Sequence, residues 1–154
     1  MSYEHVSFFL DSNKTVRPDL FSEQAESWAS KICQSGLVTK YDKKTKKEKK
    51  TLEKNKISQI RKFYDEVLRF SDYLKAGEDY ATIIPYIKML NAKAAYAEGR
   101  KLITIEFKIF LKQCLDFLND NNPKSFDVFQ NFFEAFMGYY KYYESQYKTA
   151  SEEE

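Results

Sequence analysis

The chain has 154 residues, enough for one continuous core, and its 13 Phe, 12 Tyr and one Trp set against seven Gly and Pro point to a few long helices rather than a turn-rich β architecture. No stretch reaches eighteen apolar residues, and the opening MSYEHVSFFLDSNK lacks a basic n-region and a small-residue cleavage site, so neither a membrane span nor a signal peptide is expected. The net charge is only +2, but Lys40 to Lys62 holds eleven of the 25 Lys and Arg and three of the 23 acids. That stretch carries about +8 and leaves about −6 for the rest, the charge segregation expected of a polyanion binder.

Residues 1–17 read as an irregular, weakly ordered arm. A first helix is predicted from Pro18, with Leu20, Phe21, Ala25, Trp28, Ala29, Ile32 and Cys33 at helical spacing and Gly36 as its stop. Residues 38–50 are too charged to bury anything and read as a mobile lysine-rich loop between helices one and two. A second helix is predicted from Thr51 as N-cap to Ala76, with Gly77 ending it. Its apolar face is Ile57, Ile60, Tyr64, Val67, Leu68 and Leu74. At about 100° per residue, Lys54, Ser58, Arg61, Lys62 and Arg69 fall on one side of that face, with Asp65 among them.

A third segment, residues 80–98, is expected to be split by Pro85, its main part bearing Ile87, Leu90, Ala94 and Ala97. Gly99 separates it from a fourth helix over 102–119. The run NDNNP reads as a turn, and Asn122-Pro123 can open a last helix carrying Phe126, Phe129, Phe132, Phe133, Phe136, Met137 and Tyr140. The expectation is an all-α single-domain bundle of about five main helices over 18–147, followed by an acidic disordered tail, 148–154. Its core is predicted to hold Trp28, Ile60, Tyr64, Leu90, Phe107, Leu111, Phe129, Phe133 and Phe136.

Chemistry is sparsely provided. His5 is the only histidine, Cys33 and Cys114 lie far apart, and the four glycines are scattered. Neither a metal site, a histidine-based nucleophile nor a phosphate-cradling loop is expected, so the reading is of no enzyme and no cofactor. The two cysteines suit buried, reduced thiols in an intracellular, cytoplasmic protein. Carboxylate pairs such as Asp116 with Asp120, or Glu23 with Glu26, are what solvated helix faces produce. The lysine run on its own also fits a solubilising loop, but its continuation into Arg61, Lys62 and Arg69 on a helix favours nucleic-acid binding. The last helix's Phe stripe has the spacing of a buried face. Tyr139, Tyr140, Tyr142, Tyr143 and Tyr147 go all round that helix, so some rings must leave the core, for a protein interface or for bases.

Three blocks, ISQIRKFYDEV (57–67), PYIKMLNAKAAYAEGR (85–100) and FFEAFMGYYKYYE (132–144), together resemble the small subunit of type III-A CRISPR effector complexes, the Csm interference complex. The resemblance implies a non-catalytic helical bundle, several copies of which stack head to tail along the interior of an antiviral ribonucleoprotein. It also implies guide RNA, target RNA, and the backbone and large subunits as partners, with cleavage chemistry belonging to those other subunits. The cations that fall on the matched blocks are Arg61, Lys62, Lys93 and Arg100, with Lys88 in the same block as Lys93. Together with Lys54 and Arg69 of the predicted helix face, they form the candidate RNA-binding set. The lysine-rich stretch 40–50 and the SEEE tail lie outside the matched pattern. Two other readings remain: a helical protein–protein adaptor with a merely solvated lysine loop, and a general nucleic-acid-compacting protein.

Overall fold

The computed structural model describes residues 5–9, 15–118 and 122–152. A π-helical turn, Leu20–Gln24, leads into α1 (Ala25–Ser35), followed by β1 (Leu37–Asp42), β2 (Lys47–Leu52), α2 (Ile57–Lys75), α3 (Tyr80–Lys88), α4 (Leu90–Gly99), α5 (Ile105–Asp116) and α6 (Pro123–Glu152). Among the described residues the protein is mainly helical, as the composition implied, with one small antiparallel sheet.

α6 organises the rest. Lys124 N–H donates to Asn122 Oδ1 at 3.0 Å, so the Asn-Pro pair opens the helix as expected. Its Phe126, Phe129, Phe132, Phe133 and Phe136 are all buried, recurring every three to four residues against α1 and α2. Phe110 of α5 stacks on Phe136 with centroids 4.7 Å apart, and Trp28 of α1 lies 5.4 Å from Phe110. The expected core residues are buried apart from Tyr64, which is half-buried and tilts against Phe133 at 5.5 Å. Of the tyrosines at the end of α6, Tyr140 is buried, Tyr139, Tyr143 and Tyr147 pack partly against the core, and Tyr142 stands exposed. Both cysteines are buried free thiols. Burial, with the Glu144 carboxylate adding to it, pushes Cys33 up to about 11, and burial pushes Cys114 well above the ordinary thiol value, so both stay protonated and unreactive.

The structure departs from expectation at the lysine-rich stretch. Residues 38–50 form most of a β-ribbon in which Leu37 faces Leu52, Thr39 faces Lys50, Lys40 faces Lys49 and Asp42 faces Lys47. Asp42 Oδ1 accepts from Lys44 N–H, and Lys46, at φ +57, donates its N–H to the Asp42 carbonyl, both at 2.8 Å, which closes the turn. A strand need not bury side chains to satisfy its backbone. Val38, Thr39, Tyr41 and Thr51 favour extended chain while the lysines remain in water. Thr51 therefore lies in β2 instead of capping α2, which starts at Ile57, and Lys54 sits in the connection between them. The Lys54 backbone can pass this close to Gly36 because Gly36 lacks a side chain: a Cβ on it would lie 2.2 Å from the Lys54 carbonyl oxygen, and that contact, not its backbone angle, requires glycine.

Three smaller differences follow. Pro85 lies inside α3, and the break between α3 and α4 falls at Met89, so the ring removes one helical hydrogen bond without ending the helix. Val6 and Phe8, in the stretch read as a weakly ordered arm, are buried. Phe8 stacks on Phe117 at 4.3 Å, and Phe9 bridges Val16. The backbone of α6 continues to Glu152, into the stretch read as a disordered tail.

Where the ribbon meets the bundle, one buried asparagine joins four parts of the chain. Asn55 has φ +60. Its Nδ2 shares its two hydrogens among the Ile32 carbonyl (3.0 Å), Thr104 Oγ1 (2.7 Å) and Ser35 Oγ (3.2 Å), and its Oδ1 accepts from Thr104 N–H (2.9 Å). Its own N–H donates to the Leu102 carbonyl, and its carbonyl accepts from the Tyr140 hydroxyl. Burial raises that phenol's pKa far above its usual value, so it remains a donor.

Candidate nucleic-acid interface

A groove of about 560 Å³ runs between α2 and α4. Four candidate cations line it: Lys62 and Arg69 from α2, Lys93 from α4, and Arg100 just beyond the end of α4. Asp65 and Glu66 join them, with Phe63, Ala97 and Leu102 supplying apolar wall. Residues 62, 66 and 69 are three to four apart on α2, and 93, 96, 97 and 100 are likewise spaced, so each helix presents one stripe to the same space.

Glu66 organises the groove electrostatically. One carboxylate oxygen lies 2.5 Å from the Arg69 guanidinium and the other 3.2 Å from Lys93 Nζ, so one acid bridges the two helices and fixes two cations. All three side chains are partly exposed, and the pairing contributes position more than stability. Arg100 is held differently: its guanidinium lies 5.7 Å from the Tyr96 ring centroid and donates to the Tyr96 hydroxyl at 3.0 Å. The groove therefore presents two partly neutralised cations beside Lys62 and Arg100.

The other three candidates lie elsewhere. Arg61 is exposed on α2 but does not line the groove, Lys54 is half-buried in the β2–α2 connection, and Lys88 is half-buried at the end of α3. The expected single stripe from Lys54 through Arg69 is thus broken, because Lys54 precedes the helix and Arg61 points about 100° away from Lys62. Glu66 and Tyr96 were not among the sequence candidates, although their spacings to Arg69 and Arg100, three and four residues, are legible in the chain. Among the described residues no group of three or more His, Cys, Asp or Glu could hold a metal ion, and no helix is long and apolar enough to cross a membrane.

Among the described residues, then, the protein is a helical bundle with a charged groove on one flank. Residues 34–146 match the family model Csm2 Type III-A, a span that takes in the ribbon, α2 to α5 and most of α6. The chain belongs to this family, that of the small subunit of the type III-A CRISPR effector complex. No curated protein and no solved structure matches it.

Proposed function

We propose that this subunit lies in the interior of the effector complex in the cytoplasm and holds guide and target RNA by their phosphates, without catalytic activity of its own. The observation that carries the reading is the convergence of Lys62, Arg69, Lys93 and Arg100, from separate parts of the sequence, on one groove. Guide–target pairing supplies sequence specificity, so the subunit needs only charge and shape. Lys and Arg neutralise phosphates and release counterions whatever the sequence, and Arg adds two-pronged phosphate contacts that Lys lacks. Head-to-tail stacking of copies would turn a weak single contact into tight binding through avidity. Arg61, Lys54, Lys88 and the ribbon lysines add long-range attraction, which affects association rate more than final register.

The test is charge reversal within the groove. Lys62→Glu/Arg100→Glu protein is expected to fold normally and to bind unrelated single strands and a guide–target duplex more weakly across all sequences. If each cation meets one phosphate, the salt slope of log K falls by about 1.4 to 1.8. Arg61→Glu, outside the groove, is expected to have a smaller effect. Unchanged affinity of the double variant for both RNAs at low salt would remove the groove from the reading.

A second expected result concerns the acid that the groove carries. Glu66 competes with phosphate for Arg69 and Lys93. Glu66→Gln is therefore expected to raise RNA affinity several-fold at low salt, measured by fluorescence anisotropy. A drop in affinity would mean that Glu66 is needed to hold both cations in the pose that phosphate requires.

A further inference from the structure

Nine large hydrophobic side chains are exposed among the described residues, and three of them, Tyr73, Tyr86 and Met89, line one cleft. The cleft lies where α2 meets α3 and the start of α4, holds about 390 Å³, and has Phe70 and Ile83 as its other apolar walls. Tyr73 is 44 % exposed, Tyr86 58 % and Met89 53 %. Clustering of this kind, away from the core, marks a binding surface more often than chance exposure does.

Two further facts say what fits. Arg69 and Lys93 line both this cleft and the cationic groove, so the two spaces adjoin. Within the cleft, Tyr73 meets Phe70 edge to face at 6.4 Å, and the Arg69 guanidinium lies 5.8 Å from the Phe70 ring centroid. A concave site with aromatic walls and two cations at its lip complements a nucleotide: the ring system takes the flat faces and the flanking phosphates take the cations. An apolar protein segment would meet the rings alone, whereas a nucleotide also brings phosphates that can replace Glu66 as the partner of Arg69 and Lys93.

We propose that the Tyr73–Tyr86–Met89 cleft stacks an unpaired nucleobase of a single strand whose phosphates continue along the groove. The inference rests on the groove reading and adds to it a second kind of contact, one that is independent of charge and tolerant of sequence because every base has a π face. The subunit would then distinguish a strand with a splayed-out base from a continuous duplex.

The test uses the full chain, a mixed-sequence single-stranded RNA, and the same RNA with a central run of abasic sites. Tyr73→Ala/Tyr86→Ala protein, checked for an unchanged circular dichroism spectrum and melting point, is expected to bind the intact strand about 5- to 150-fold more weakly with an unaltered salt slope. Tyr73→Phe/Tyr86→Phe, which keeps the π faces, is expected to retain wild-type affinity. The abasic strand should bind wild-type protein weakly and lose little more with the alanine variant. Equal binding of intact and abasic strands by wild-type protein, or full affinity of the alanine variant, would overturn the proposal. So would an alanine variant that binds RNA normally but no longer joins its partner subunits, which would make the cleft a protein interface. If Lys62→Glu/Arg100→Glu weakens binding while the tyrosine variant does not, the groove stands and the cleft alone fails. If neither variant weakens binding, both readings fall.

Discussion

Replacing Asn55 with alanine is expected to lower the melting temperature by about 6 to 20 °C, from a loss of about 3 to 5 kcal/mol. The side chain links the last turn of α1, through Ile32 and Ser35, to Thr104 at the start of α5, beside a direct Ser35–Thr104 hydroxyl contact at 2.8 Å. Its removal leaves the buried Thr104 N–H without its acceptor, and an orphaned buried polar group costs more than the bond it made. Alanine also tolerates φ +60 poorly, at about 1 to 2 kcal/mol. Asn55→Gly separates the two causes: it accepts the backbone angle but loses the same hydrogen bonds, so it should fall between wild type and Asn55→Ala. A change below 2 °C for Asn55→Ala would mean that the junction is held by packing alone.

Phe133→Ala is expected to cost about 3 to 5 kcal/mol, seen as a lower denaturation midpoint at constant m-value. Phe133 is fully buried, and its ring neighbours come from three helices: Tyr64 of α2 at 5.5 Å, Phe107 and Phe110 of α5 at 6.4 and 6.2 Å, and Phe129 and Phe136 of its own helix at 6.0 and 5.8 Å. So many rigid rings close poorly over a void, which places the cost toward the upper part of that range. Phe133→Leu keeps most of the volume and should recover more than half of the loss. An unchanged midpoint for Phe133→Ala would contradict its place at the centre of the core.

The helices that bury a stripe were legible because their signal is local. Trp28, Ile32, Ile60, Val67, Phe107, Phe129 and Phe136 declare themselves by spacing alone, and the structure buries them all. The ribbon was not legible, since charge density was read as lack of structure, whereas cross-strand pairing satisfies the backbone without burying the lysines. Nor was the start of α2. Thr51 and Glu53 imitate an N-terminal cap, but the position is decided by Gly36 and Asn55, whose contacts reach residues far away in sequence. The groove was half legible. Helical periodicity placed Lys62 and Arg69 on one side of α2, and the resemblance singled out Lys93 and Arg100. Their convergence depends on how α4 sits beside α2, which no local pattern encodes. The Glu66 bridge across that gap depends on the same packing.

The ribbon has a consequence for how the protein behaves in a crowd. Each of its two strands has an outer edge that no other strand pairs among the described residues. Open edges of this kind recruit strands from neighbouring molecules and seed sheet growth. Here Lys40, whose ammonium pairs with Glu53 at 2.9 Å, faces Lys49, and Thr39 faces Lys50, so a newcomer would have to strip water from charged side chains on both strands. Charged side chains on a strand edge discourage such pairing, and they do so electrostatically. That protection is strongest in dilute buffer and fades as ionic strength rises and the Debye length shrinks to a few ångströms.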